Sequence, residues 1–481
     1  MFKRRILTCA IAAGIASSAV AAEPGQEIRS TLQDQQEVAV TIYNDNLALV
    51  KDQRKVVLDR DLSSLALRDV SAQIRPETAL LRSLTAPGSL EILEQNFDFD
   101  LLTPEKMLEK YVGKTVDVIR TNIATGVETT EQAQVLSANN GVVLKIGDRI
   151  ETGIPGRIVS SDVPANLRDR PSLVVQLQNK GAASQDVELS YLTGGLSWKA
   201  DYVAELNAAE NKLDLSGWVT LTNTSGTTYR NAKLQLVAGD VNRVQEDRAV
   251  QMEVMRMKPM ASAAPAPMAE ESLFEYHLYT LNRPTTLAEN QTKQVALLSA
   301  VNVPVRKELL LRGASYYYHA NHGEIGQKLK ADVYVEFDNK QNTGLGMPLP
   351  KGIMRVYKKD GAGNAQFVGE DNIDHTPKNE TVRLKLGAAF DVTADKKQTD
   401  FKKLPNPSKG VNLYESAYQI VLKNGKQEPV TVKVQEPIPG DWTMLQTSHP
   451  QRKADSNTAE WQITIPAEGK VTLDYRVQVK Y

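Results

Sequence analysis

Apolar residues recur at every second position over long stretches of this chain. In residues 187–242, Val187, Leu189 and Tyr191 alternate with polar neighbours, and so do Leu213, Leu215, Gly217, Val219 and Leu221. Successive side chains of a strand point to opposite faces, so a period of two predicts strands with one buried face. Gly-Gly, Asn-Lys and Thr-Ser-Gly spell the turns between them. Near the N-terminus, residues 38–43 form a similar run that stops at the turn Asn44-Asp45-Asn46, and 56–58 lead to a second turn around Asp59-Arg60-Asp61.

One helix start stands out. Thr103-Pro104-Glu105 places an N-cap, a first-turn proline and an acid in order, which predicts a helix over 104–111 that Gly113 ends. Short β runs follow at 115–120, 132–137, 141–146 and 157–160, with turns at Ala124-Thr125-Gly126, Asn139-Asn140-Gly141 and Gly147-Asp148. A short helix and a run of short strands predict a small SH3-like barrel.

An apolar-x-Asn step then precedes a polar turn four times, at Asn179, Asn223, Asn339 and Asn424. Asparagine tolerates the left-handed conformation and bonds its own backbone, which suits strand exits. The spacings of 44, 116 and 85 residues are irregular, which argues for several β-sandwich modules and against a solenoid or propeller. Between Gln245 and Glu271 the alternation collapses into Ala, Pro, Met and charge, and 261–267 cannot hold a strand. Strand patterns resume at 276–280, 293–298, 331–337, 352–357 and 381–386. They close with 417–422, 430–436, 458–465 and 471–479, where Trp442 and Trp461 are expected in a core.

The expectation is an all-β chain of tandem Ig-like β-sandwich modules with a small SH3-like barrel and few short helices. Its divisions are a leader over 1–22, an N-terminal β-module over 23–95 and the helix and barrel over 96–163. A sandwich domain over 164–244 and 275–406 is interrupted by a Met/Ala/Pro-rich flexible segment over 245–274, and a C-terminal sandwich spans 407–481.

Composition adds a location. Lys3, Arg4 and Arg5 precede an apolar run over 6–20, and Ala19-Val20-Ala21 fits small-x-small, so the sequence predicts a secretory signal cut after Ala21 or Ala22. The run is short of the roughly 20 apolar residues of a spanning helix, and no comparable run follows. Cys9, the one cysteine, lies inside this leader. The processed chain is therefore expected to do without disulfides, thiol catalysis, Cys-ligated zinc or iron–sulfur chemistry. Basic and acidic residues number 57 and 58; without Lys3, Arg4 and Arg5 the net charge becomes about −4. No basic surplus of the kind that follows nucleic acid is present. Aromatics at 6% argue mildly against a carbohydrate-stacking surface and against a membrane barrel with aromatic girdles.

The segment SYLTGGLSWKADYVAEL followed by SGWVTLTNTSGTTYRNAKLQLVAGDVN resembles a bacterial domain of unknown function, number 4139, which includes mucoidy inhibitor A-like proteins. The likeness rests on Trp198-x-x-x-Tyr202, an apolar strand, an Asn turn, an aromatic and an Ala-Lys-Leu-x-Leu strand. ESAYQIVLKNGKQEPVTVKVQEPIPGDW resembles that domain's end, and VAVTIYNDNLALV more weakly its N-terminal companion, so the likeness covers roughly 165–481. Tyr229 stands where the wider family often has Trp. The resemblance implies export and β architecture and supplies no catalytic residue.

Four constellations could carry chemistry. Met252, Met255, Met257, Met260 and Met268 are half of the methionines, and thioethers at such spacings can ligate Cu(I); a linker or soft docking stripe is the reading favoured over copper. His319, His322 and Glu324 offer only three ligands where structural zinc takes four, so a turn with exposed polar groups is expected. Asp371, Asp374 and His375 precede Pro377 and read as a loop. Gly194-Gly195-Leu196-Ser197 is not a nucleophile elbow, which needs Gly-x-Ser-x-Gly, so Ser197 reads as an ordinary strand residue. Trp198, Tyr202 and Trp218 read as packing residues. The alternation of Leu473, Tyr475, Val477, Val479 and Tyr481 fits an outer-membrane strand or the last strand of a sandwich, and the charged turns favour the sandwich.

The expected role is that of a periplasmic or secreted, non-enzymatic binding or scaffolding protein of the cell envelope. It would need no cofactor and would capture a protein partner by strand addition. The rivals are soft-metal binding through the methionines, and a hydrolase with dispersed residues headed by His319, His322 and Asp371.

Overall fold

The computed structural model describes residues 27–481 apart from 140, 155, 165–166, 240, 243–267 and 406–411. The chain divides into two units, one of 1–38 with 51–192 and the other of 39–50 with 193–481. The architecture is all-β, with a single α-helix among the described residues.

In the first unit, Ser172–Asn179 lies antiparallel between Asp61–Arg68 and Leu90–Asp98, and Ile28–Ser30 joins Asp61–Arg68 in parallel. Leu65, Leu67, Leu173, Val175 and Leu177 are fully buried there. Arg54 is buried with them. Its guanidinium donates to Asp52 at 2.7 and 2.9 Å, to the Ser30 carbonyl at 3.0 Å and to the Arg68 carbonyl at 2.8 Å. A buried cation needs such saturation, because an unpaired one is strongly destabilising.

Helix Pro104–Lys110 forms where the sequence predicts it, with Thr103 Oγ accepting the Lys106 N–H at 3.2 Å. Tyr111 at its end packs with Val116, Val118, Ala133, Val135, Leu144 and Ile146 in a small separate core. The five strands of that module run in the order Arg149–Thr152, Val143–Ile146, Glu128–Ser137, Thr115–Thr121, Arg157–Val159. The expected barrel is not closed: its two edge strands do not pair with each other among the described residues.

In the second unit, alternation does what the sequence promises. Leu213, Leu215, Gly217, Val219, Leu221 and Asn223 of strand Lys212–Asn223 are all buried, and the intervening residues are not. That strand lies antiparallel between Leu196–Leu206 and Gln291–Arg312, and Gly352–Lys359 adds in parallel to Leu196–Leu206. The parallel contact needs Gly352, since a Cβ there would stand 2.2 Å from the Ala200 carbonyl oxygen.

Two strands are far longer than the sequence runs. Gln291–Arg312 pairs with Lys212–Asn223 over its first part, then with Glu324–Asp338 and, in parallel, with Val430–Pro437. Thr381–Leu404 pairs with Glu324–Asp338 and then with Leu413–Asn424. The C-terminal core therefore draws on residues well before 407: Leu309, Leu311, Tyr318, Val392 and Ala394 pack with Ile420, Val434, Trp442, Trp461 and Tyr475. Trp442 and Trp461 are buried there as expected. Strand Lys470–Lys480 is interior, paired on both sides.

Three details correct the sequence reading. The segment expected to be irregular up to 274 forms strand Ala269–Leu273, which pairs with Tyr276–Thr280. Trp218 is half-buried, opposite in facing to Leu215, Gly217 and Val219. The four strand-exit asparagines do not use the left-handed conformation. They are buried, and each clamps a loop with its amide: Asn223 Nδ2 donates to the carbonyls of Thr227, Leu287 and Ala288 at 2.9 to 3.1 Å. Asn339 holds Met347 and Pro377, Asn424 holds Glu428 and Pro466, and Asn179 holds Asp59 and Ala182. A buried carbonyl without a partner is costly, which is why the loop needs the amide.

Candidate functional site

In the second unit a cavity of about 260 Å³ is lined by Asn44, Asp45, Ser197, Trp198, Lys199, Thr220, Thr222 and Lys351. Its floor is the polar face of two paired strands, where Ser197 lies opposite Thr222 and Lys199 opposite Thr220. Thr220 is already committed, donating to Asp201 at 2.8 Å and accepting from Gln294 at 3.1 Å.

The walls are held from behind. The turn that carries Asn44 and Asp45 is pinned by Asn46, whose φ is +44° and whose Oδ1 accepts the Gly195 N–H at 2.7 Å. The loop before Lys351 is fixed by two buried tyrosine hydroxyls: Tyr279 donates to the Pro348 carbonyl at 3.0 Å and Tyr202 to the Pro350 carbonyl at 2.8 Å. Burial pushes both phenols up, Tyr202 well above its ordinary range, so they remain donors. Leu349 and Thr376 exchange backbone bonds at 2.9 Å, which brings His375 beside the turn.

Two buried polar atoms of this lining have no hydrogen-bond partner: the Trp198 indole N–H and the Asn44 carboxamide oxygen. The Asn44 amide also approaches His375 Nε2, at 3.5 Å, while His375 Nδ1 accepts the Lys351 backbone N–H at 3.2 Å. The lining thus combines one unsatisfied N–H donor, that of Trp198, and one unsatisfied carbonyl acceptor, that of Asn44, with the side chains of Lys199, Lys351 and Asp45.

Trp198 and Tyr202 are the buried packing residues that the sequence predicts. Ser197 is a strand residue, and it hydrogen-bonds to no base among the described residues. His319 caps the 3₁₀ turn Ser315–Tyr318 and stacks on Tyr481 at 4.4 Å, whereas His322 packs against Tyr316 and Tyr317. Asp371 accepts from the backbone of Asn372 and Lys385. Among the described residues no three such side chains are grouped to hold a metal ion, Glu324 and Asp374 included. Met252, Met255, Met257 and Met260 lie outside the described residues, as do Ala21 and Ala22; Met268 is a buried core residue whose N–H approaches the Leu297 carbonyl at 3.3 Å. The sequence reading passed over Asn44, Lys199 and Lys351, because nothing local distinguishes them from turn and surface residues.

A second cluster of perturbed groups is sealed inside the C-terminal core. Lys396 and Glu436, 2% and 1% exposed, pair at 2.5 Å. Tyr318 donates to the same carboxylate at 2.9 Å and meets the Tyr475 hydroxyl at 3.0 Å. The Lys396 ammonium stands 4.3 Å from the Tyr317 ring centre and 5.4 Å from that of Tyr418. Burial holds Lys396 below its usual range, against the opposing pull of Glu436, and drives Tyr318 and Tyr475 well up. Gly313 makes room for the carboxylate, since a Cβ there would lie 2.2 Å from it. A pair this enclosed belongs to the packing of the module.

No helix among the described residues is long and apolar enough to cross a membrane. Residues 187–481 match the family model described as domain of unknown function (DUF4139). Comparison with curated proteins gave no match.

Proposed function

The chain belongs to the family of the domain of unknown function DUF4139, and on that premise we propose that it is an exported, non-enzymatic binding protein of the bacterial cell envelope whose contact site is the cleft around Trp198. The observation that carries this reading is the pair of unpartnered polar atoms in the lining, the Trp198 indole N–H and the Asn44 carboxamide oxygen. A buried polar group left unsatisfied costs about 1–3 kcal/mol, and a ligand that supplies an acceptor to the indole and a donor to the carboxamide restores that loss. The loops around the cleft are fixed by Tyr202, Tyr279 and Asn46, so a ligand would meet a site already formed. The basic and apolar leader and the confinement of cysteine to Cys9 support export.

The test is photo-crosslinking in cells from a reactive side chain at Thr222, with the same group at the exposed Lys470 as control. The reading expects specific adducts at position 222 that Trp198→Phe and Asn44→Leu remove, in protein recovered from the envelope fraction. Adducts no richer at 222 than at 470 would rule the cleft out, and recovery from the cytosol would rule out export.

A further inference from the structure

We infer that the cleft recognises a neutral amide group on a small ligand, its carbonyl accepting from the Trp198 indole and its N–H donating to the Asn44 carboxamide oxygen. This rests on the binding role proposed above and narrows it to a chemical class. The two unpartnered atoms are opposite in kind: an indole N–H can only donate, and a carboxamide oxygen can only accept. They also sit on separate elements, Trp198 within strand Leu196–Leu206 and Asn44 in the turn after strand Gln35–Tyr43. A ligand that satisfies both must bring an acceptor and a donor together. An amide carries them on two neighbouring groups, held in one plane by the partial double bond between carbon and nitrogen. An ester or a carboxylate has no donor for Asn44, and an ammonium has no acceptor for Trp198. Each would leave one buried atom orphaned, which is the situation a selective site rejects.

Charge points the same way. Lys199 and Asp45 bring opposite signs to the lining, and Lys351 already has an interaction of its own. Nothing in this balance demands an ionised ligand. Thr220 is taken by Asp201 and Gln294, whereas the hydroxyls of Ser197 and Thr222 can act as donor or acceptor toward the rest of a neutral, polar ligand. The volume of about 260 Å³ is below that of sites for drug-sized ligands, which start at about 300 Å³, so one small residue or sugar unit fits it. An amide of this size has two sources, a peptide bond or the acetamido group of an amino sugar, and both present the same carbonyl and N–H.

Calorimetric titration of the full chain distinguishes them. The probes are N-acetylglucosamine against glucose, and N-acetylalanine methylamide against O-acetyllactic acid methyl ester, in which oxygen replaces both amide N–H groups. The inference expects at least one amide to bind about tenfold or more tightly than its amide-free partner, the loss that follows when a buried polar group is left unsatisfied. Whichever amide binds assigns the source. This comparison is made on the parent protein, so it stands whether or not a variant folds. Trp198→Phe, which removes the indole N–H, should weaken that amide about tenfold and its partner far less. Asn44→Leu, which removes the acceptor, should shrink the preference for the amide to about twofold or less, with the melting temperature reporting that the fold survives. Equal binding of amide and partner would overturn the amide while leaving the cleft as a binding site. Absence of binding by both amides, or a preference that survives Asn44→Leu undiminished in a folded protein, would overturn it too. The crosslinking at Thr222 reads occupancy of any kind, so failure there strikes the binding role itself.

Discussion

Replacing Glu436 by Gln should destabilise the C-terminal core by an amount that shrinks as the pH rises. The substitution keeps the volume that Gly313 leaves free and keeps an acceptor for the Tyr318 hydroxyl at its 2.9 Å position. It removes the counter-charge of Lys396, whose side chain is 2% exposed and whose titration burial already pulls down. The lone ammonium has two options. It can stay charged, which costs about 3–5 kcal/mol for a broken buried pair. It can also release its proton, which at pH 7 costs about 1.4 kcal/mol for each unit between 7 and the ordinary lysine value near 10.4, about 4.6 kcal/mol in all. The cheaper route sets the loss, so about 3–5 kcal/mol is expected at pH 7.

The sign of the pH dependence follows. In the variant the folded lysine is neutral while the unfolded lysine still binds a proton, so stability rises with pH over the window between the depressed folded value and 10.4. If deprotonation is the route taken, the deficit relative to the parent should narrow by about 2.7 kcal/mol between pH 7 and pH 9. Native-state hydrogen exchange in strands Leu413–Asn424 and Lys470–Lys480, which carry Tyr418 and Tyr475, reads this core directly. Lys396→Met together with Glu436→Gln should recover most of the loss, because neither side chain then carries a charge. A deficit equal at pH 7 and 9, combined with a double variant no better than the single one, would refute the reasoning.

Three further outcomes are expected. Asn424→Ala strips the Glu428 and Pro466 carbonyls of a donor at 2.8 and 3.0 Å, and a loss of about 1–3 kcal/mol in urea denaturation should follow. Burial pushes the phenols of Tyr317 and Tyr418 up to about 12 and those of Tyr318 and Tyr475 higher still. The folded state then holds protons that the unfolded state gives up near pH 10, so stability should fall as pH rises above 10, with unfolding and phenolate absorbance appearing together. Gly352→Ala would drive a Cβ into the Ala200 carbonyl at 2.2 Å and spring the parallel strand, and limited proteolysis should cut near Lys351 in the variant but not in the parent.

Much of the local structure was legible because it is local. Thr103-Pro104 caps a helix by its own chemistry, and Leu213 to Leu221 face one way because strand geometry has a period of two. The asparagine fingerprint was legible as position but not as mechanism. Asn223 and its counterparts matter through carbonyls up to 120 residues away in the chain, and no window of sequence displays such a bond. Strand length was misjudged for a related reason. Polar residues interrupt the alternation in Gln291–Arg312 and Thr381–Leu404 where each strand changes partner, with register shifts such as that between Gln398 and Asp400.

The sequence by itself determined the β architecture, the turns, the capped helix Pro104–Lys110 and the family, since these rest on periodicity and on residues a few positions apart. The tertiary structure decided where chemistry collects. Asn44, Trp198, Lys351 and His375 span more than 300 positions of the chain, and nothing in the neighbourhood of any one of them points to the other three. Lys396 and Glu436 are two ordinary polar letters 40 positions apart until packing seals them together. Burial and through-space pairing set the strength of a charge or an unsatisfied N–H, and both are properties of the folded chain alone.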